Sequence, residues 1–208
     1  LEFRRVLFRS ASMKSVLLSI RPKLCKKIAN LQKTVEIRKT APSLEVPFKC
    51  YIYCTKAPKK LITIFRDGEE SYDGEIYHGK TKFITWDGIG VPDDIDSAMQ
   101  MVIGEFVCDD IRRIGPEYCV VKEDIESAIS GSCLTVPQVK DYAGWKSGMS
   151  YADLKDLYGW HISDLKIYDR PRPLSDFTRL RATKFGYESV EIQRPPQSWC
   201  YVEELSNE

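Results

Sequence analysis

The chain has 208 residues, of which 43% are hydrophobic, 29% charged and 11% aromatic, enough for one good core and too few for two full domains. A formal net charge of +1 excludes a globally basic nucleic-acid coat, although a local basic groove remains open because steering depends on where charges sit. No apolar run approaches the roughly 20 residues of a membrane-spanning helix.

Residues 1–12 (Leu-Glu-Phe-Arg-Arg-Val-Leu-Phe-Arg-Ser-Ala-Ser) read as a non-native leader, similar to in-frame translated adapter sequence, with a normal start at Met13. Without Arg4, Arg5, Arg9 and Glu2 the charge falls from +1 to −1. Ser15 to Ile20 is a short strand, and Pro22 suits the first turn of a helix. Leu24, Ile28 and Leu31 recur at helical spacing, so 22–31 reads as one amphipathic helix. Thr34 to Lys39 alternates as a strand, with Val35 and Ile37 on one face and Thr34, Glu36 and Arg38 on the other. Pro42 and Pro47 bracket a turn before a second strand, Phe48 to Thr55.

Residues 56–100 carry short β-prone pieces between turn signals (Asp67-Gly68, Asp73-Gly74, His78-Gly79, Asp87-Gly88) and read as a β-hairpin insertion. Val102 to Ile114 is one long strand with a bulge at Gly104. Three helices follow: Lys122 to Ile129, Val136 to Tyr142 capped by Thr135, and Tyr151 to Tyr158 capped by Ser150. The last two end alike, in Tyr142-Ala143-Gly144-Trp145 and Leu157-Tyr158-Gly159-Trp160, as helices stopped by glycine. Trp160 to Tyr168 is a further strand, 169–196 a long surface loop, and Gln197 to Glu203 a final strand. The expectation is α+β, with about six strands.

The seven cysteines are odd in number and sit in apolar runs, as free thiols do in a reducing, cytoplasmic setting. Cys50 and Cys54 share a strand face and are expected in the core. No Cys-x-x-Cys occurs and only His78 and His161 are histidines, so no metal site and no cofactor is expected. Asp93-Asp94-Ile95-Asp96 lacks the Gly and Glu of a calcium loop, and no phosphate-cradling Gly-rich loop or nucleophile elbow appears. Arg170, Arg172, Arg179, Arg181, Lys184 and Arg194 form the best local basic patch; a solvated loop is the default for it.

Spacing alone makes Lys33, Thr34, Glu36 and Arg38 a charged strand face, which is most often surface. The turn that delivers Lys33 straight from a helix argues for a binding position. Leu17-Leu18-Ser19-Ile20-Arg21-Pro22-Lys23, followed by Leu31-Gln32-Lys33-Thr34-Val35-Glu36-Ile37-Arg38-Lys39, resembles the opening of ASCH-domain proteins. Val102 to Phe106, Tyr158 to Leu165 and Pro195 to Tyr201 resemble the corresponding strands of bacterial and phage members. The resemblance implies a PUA-like mixed β-barrel over residues 13–205, interrupted by 56–100. Its cleft would bind RNA, a nucleotide or a nucleoside, with no membrane partner. Lys33 and Glu36 are then the candidate catalytic pair, and Lys33, Thr34, Glu36, Arg38, Trp160, His161, Trp199 and Tyr201 the candidate ligand-binding set. At least one of the three aromatics is expected in the core.

Small relatives use the matching lysine to hydrolyse an acetylated cytidine, with a nucleophilic Thr three residues on; here that position holds Glu36. Other relatives cut RNA, for which Lys33 or Arg38 would stabilise phosphate charge and Glu36 or His161 would move the proton. A module that docks a protein partner through 56–100 is the third alternative. Where the family has Gly, this chain has Leu31, and Asn30 is expected to absorb the left-handed turn.

Overall fold

A computed structural model describes residues 14–70, 75–76, 78–79, 82–86, 98–115, 122–146, 148–150, 153–184 and 186–205. The leader, the acidic run at 93–96 and Cys119 lie outside these. The chain is α+β and dominated by strands, twelve among the described residues against the six or so expected.

β1 (Lys14–Ile20) pairs in parallel with β3 (Phe48–Cys54) and antiparallel with β12 (Trp199–Glu203). With β6 (Met101–Cys108) and β9 (Ser163–Pro173) they form a five-stranded sheet of order β12-β1-β3-β6-β9. A second sheet has the order β2-β8-β7, from Val35–Arg38, Leu157–His161 and Ile111–Ile114. β4 (Lys60–Phe65) and β5 (Lys82–Trp86) form one antiparallel hairpin; β10 (Thr178–Thr183) and β11 (Gly186–Glu191) form another. No sheet among the described residues closes on itself.

Three clusters fill the interior. The largest unites β1 and β3 (Val16, Leu18, Cys50, Ile52) with Cys25 and Ile28 of helix α1 (Pro22–Ala29), Leu61 and Phe83 of the first hairpin, and Trp160 of β8. The five-stranded and three-stranded sheets therefore share one core. The opposite face of the large sheet (Leu17, Tyr51, Val102) is covered by Phe177 and Ile192, at the ends of the second hairpin. The outer face of the small sheet (Ile37, Ile114, Leu157) packs on Ile125 and Val139 of helices α2 (Lys122–Ala128) and α3 (Val136–Ala143). Cys50 and Cys54 are core residues. Burial, followed by the Asp109 charge, pushes the Cys108 thiol up to about 12, which keeps it an inert packing group.

Several expectations are corrected. The strand expected over 102–114 breaks at Asp109-Asp110 into β6 and β7, which belong to different sheets. The Gly104 irregularity is present: the β6–β9 register shifts there, and a Cβ on Gly104 would lie 2.4 Å from the Lys166 carbonyl. The helix expected over 151–158 is corrected within its described part: 154–156 carry no regular structure and Leu157 and Tyr158 open β8, whose central place between β2 and β7 gives its backbone two ladders and buries Trp160; such tertiary partners outweigh local propensity. The strand expected over 160–168 is split, Ile162 separating β8 from β9. The loop expected over 169–196 instead contains the end of β9 and the β10–β11 hairpin.

Candidate functional site

The site begins with the end of α1. Gln32 N donates to Lys27 O at 2.8 Å and Leu31 N to Ile28 O at 2.9 Å, the pair of bonds that closes a Schellman cap. The left-handed position of that cap is Leu31, at φ 59°, while Asn30 stays at φ −88°. Asn30 thus does not absorb the turn; its Nδ2 donates to Phe83 O at 3.1 Å. The cap leads directly into Lys33, whose own N–H returns to Lys27 O at 3.0 Å.

Across from this cap lies the loop after α2. Gly131 O accepts from the N–H groups of Thr34 and Val35, at 2.9 and 3.1 Å. Gly131 has φ 77°, and a Cβ there would sit 2.2 Å from Thr34 Oγ1, so only glycine permits this approach. Cys133, also left-handed at φ 59°, directs its thiol to Gln32 O at 3.1 Å.

Between cap and loop the charges are buried. Lys33, Glu36 and Arg38 are 1%, 4% and 6% exposed, so the surface reading of this strand face fails. Lys33 Nζ donates to Val35 O at 2.5 Å and Ser132 O at 2.7 Å, and lies 3.2 Å from Glu36 Oε2. Two of the three Lys33 N–H groups are committed to these carbonyls, and the ion pair with Glu36 suits Lys33 to holding that carboxylate in place. Arg38 reaches Glu36 Oε1 at 3.0 Å, Ser19 O at 2.9 Å and Ser198 Oγ at 3.4 Å. Two cations around one carboxylate leave the cluster formally +1.

Cross-strand register sets which aromatic joins the cluster. Glu36 opposes Trp160 and Arg38 opposes Tyr158 across β2–β8, which places all four on one face. His161 opposes Val35 and so belongs to the other face. It is exposed, with Nδ1 2.6 Å from Asp109 Oδ1, and that hydrogen bond holds the Asp109 carboxyl below its ordinary range. Thr34 also stays exposed.

Trp160 is fully buried, 5.8 Å from the Phe48 ring and 5.9 Å from Trp199; Trp199 meets Tyr201 at 5.3 Å. Trp199 and Tyr201 are half-buried, Trp199 Nε1 donating to Thr40 Oγ1 at 3.0 Å and Tyr201 Oη accepting from Ser43 N at 2.7 Å. Three buried polar atoms on this face lack a hydrogen-bond partner among the described residues: Glu36 Oε2, Arg38 Nε and Trp160 Nε1. Glu36 Oε2 is close to Lys33 Nζ as an ion pair, without hydrogen-bond alignment.

The sequence reading missed Tyr142. Its half-buried phenol is pushed up by burial, opposed by the positive charge of Arg38 and reinforced by Glu36, and Lys39 Nζ stands 5.0 Å over its ring. Ser19, Ser132 and Ser198 were missed too, because two of them contribute backbone carbonyls, which carry no residue-type signal. Within the basic patch Arg181 pairs with Glu188, Arg172 stands 5.7 Å from the Tyr168 ring, and Arg170, Arg179, Lys184 and Arg194 are exposed. Among the described residues no group of three His, Cys, Asp or Glu side chains is placed to hold a metal ion, and no helix is long and apolar enough to cross a membrane.

No family model matches the sequence, and no curated protein matches it. Among solved structures, the ASCH protein of Zymomonas mobilis is similar at 17% identity and a TM-score of 0.48, over 90% of this chain and 86% of that one. A serine-to-alanine variant of it gives 16%, 0.48, 91% and 89%, and a tyrosine-to-phenylalanine variant gives 15%, 0.45, 91% and 90%. At these values the likeness is one of outline and transfers no residue role to this chain.

Proposed function

We propose that the chain is an ASCH-type module that binds RNA or a nucleotide against the Lys33–Glu36–Arg38 face. In this reading the two larger sheets, joined through Trp160, are the halves of a PUA-like barrel spanning residues 13–205, with 56–100 as an insertion. One observation carries the reading: a buried, formally positive charge cluster shares its face with Trp160 and leaves three polar atoms without partners. Burying such atoms costs free energy, so a fold that retains them favours a ligand able to complete them. A nucleotide combines the acceptors, donors and anionic charge that this set matches, and the half-buried ring of Trp199 beside Trp160 is the one a base would stack on.

The test is a titration of the full chain, at low salt, with labelled single-stranded RNA and with nucleoside monophosphates, followed by anisotropy and by Trp fluorescence. Wild type is expected to bind, and Glu36→Gln, which keeps the side-chain shape, to weaken binding about tenfold or more while circular dichroism stays native. Incubation with RNA and with acetylated cytidine separates binding from turnover, Lys33→Ala serving as the control for any reaction. Absence of binding to every RNA and nucleotide, or full affinity in Glu36→Gln, would sink the proposal.

A further inference from the structure

A concavity of about 580 Å3 lies between the segment 41–46 and the β7–β8 pair. That volume is within the usual range of small-molecule sites. Leu44, Val46 and Ile111 supply apolar wall, and the Tyr158 ring an aromatic one. Val46 is one of only four large hydrophobic residues that stand exposed among the described residues, so a ligand seated here would cover apolar surface that the fold leaves in water.

The polar groups of the groove have one net sign. Glu45, Asp110 and Arg113 line it, but the Arg113 guanidinium is already committed to Asp156, with Nε 2.7 Å from Oδ2 and a terminal nitrogen 2.9 Å from Oδ1. Glu45 and Asp110 have no described ion pair or side-chain hydrogen bond. The groove is therefore apolar, flanked by an aromatic ring and two uncompensated carboxylates. Anions are disfavoured there by Coulomb repulsion, whereas an ammonium group gains from the carboxylates and its apolar body from the aromatic and aliphatic wall. The sign is opposite to that of the Lys33 cluster.

We infer that this groove is a binding site for a small organic cation, an ammonium group carried on an apolar body. Tyr158 shares its face with Arg38, but Glu45 and Asp110, the carboxylates that set the sign of the groove, take no part in the nucleotide reading, and the ligand has the opposite charge. It is tested by titrating the full chain with phenethylammonium and with its neutral counterpart 2-phenylethanol, followed through the methyl resonances of Leu44, Val46 and Ile111. The expected result is shifts at these methyls and affinity for the ammonium about fivefold or more above that for the alcohol, the scale of two partly exposed charge contacts. The double variant Glu45→Gln/Asp110→Asn should bring the two ligands to equal affinity, and both changes are at exposed side chains. Equal binding of the two ligands by wild type, persistence of the preference in the double variant, or shifts confined to other methyls would overturn the inference.

Discussion

Two stretches of the chain spell nearly the same word and fold differently. Lys140-Asp141-Tyr142-Ala143-Gly144-Trp145 ends helix α3, whereas Lys155-Asp156-Leu157-Tyr158-Gly159-Trp160 runs into β8. The first is upstream-controlled: Thr135 and Gln138 close a full capping box and start a helix that Gly144, at φ 78°, stops. The second is preceded by a contact in which Asp153 N donates to Ser150 O at 3.0 Å, and it has a strand on either side of it. Gly144 is needed for its backbone angle, and a Cβ there would meet open space; a Cβ on Gly159 would lie 3.2 Å from Val35 Cγ1. The copies even touch, since Trp145 Nε1 donates to Lys155 O at 2.8 Å. Identical letters thus serve a cap in one place and a packing gap in the other, and the difference lies in what the rest of the fold brings alongside.

The largest break in this contrast is expected at the second tryptophan. Trp160→Ala removes a fully buried ring from the centre of the main core, at a cost of about 3–5 kcal/mol. Urea unfolding should show the midpoint falling sharply at nearly constant slope. A loss below about 1 kcal/mol would mean that β8 is not the wall between the two sheets.

The two glycines separate the mechanisms. Gly159→Val places γ-carbons among Val35, Ile37 and Ile114, whose side chains already stand 3.2, 3.6 and 3.5 Å from where the new Cβ would lie; overpacking of this kind costs about 1–3 kcal/mol. Gly144→Ala meets no atoms but must hold a left-handed angle, costing about 1 kcal/mol once the lower entropy of the unfolded chain has offset part of the strain. The same unfolding measurement should rank Gly159→Val above Gly144→Ala; the reverse order would make the backbone angle, not the packing gap, the stronger constraint.

This contrast also explains how far the sequence could be read. Elements governed by their own residues were legible: β1, α1 with Pro22 at its start, the alternation of β2, and the cap of α3. Elements governed by distant partners were not, and β8 and the β10–β11 hairpin are the cases in point. The candidate site divides in the same way. Alternation placed Glu36 and Arg38 on one face, as found, but the burial of the cluster depends on Ser132 at Lys33 and on Ser198 and Ser19 at Arg38, roughly 20 to 160 positions away in sequence. His161 adjoins Trp160 in sequence yet faces away from Glu36, because neighbours on a strand point to opposite faces.

A third left-handed position gives the smallest effect and the opposite sign. Leu31 stands where Gly144 stands, just past a helix end, at φ 59°, but with a branched side chain that makes this backbone region unfavourable by about 1–2 kcal/mol. Its side chain is 54% exposed, so little packing offsets the strain. Leu31→Gly should relieve that strain while adding unfolded-state entropy worth about 0.4–1 kcal/mol, for a net gain of about 0.5–1 kcal/mol in urea unfolding. Because the Schellman bonds at Gln32 and Leu31 deliver Lys33 to Glu36, the variant should keep the nucleotide affinity of wild type. Destabilisation by Leu31→Gly would instead show that the leucine side chain contributes contacts that outweigh its backbone strain, and that strain at the entrance to β2 is not a reserve the protein could release.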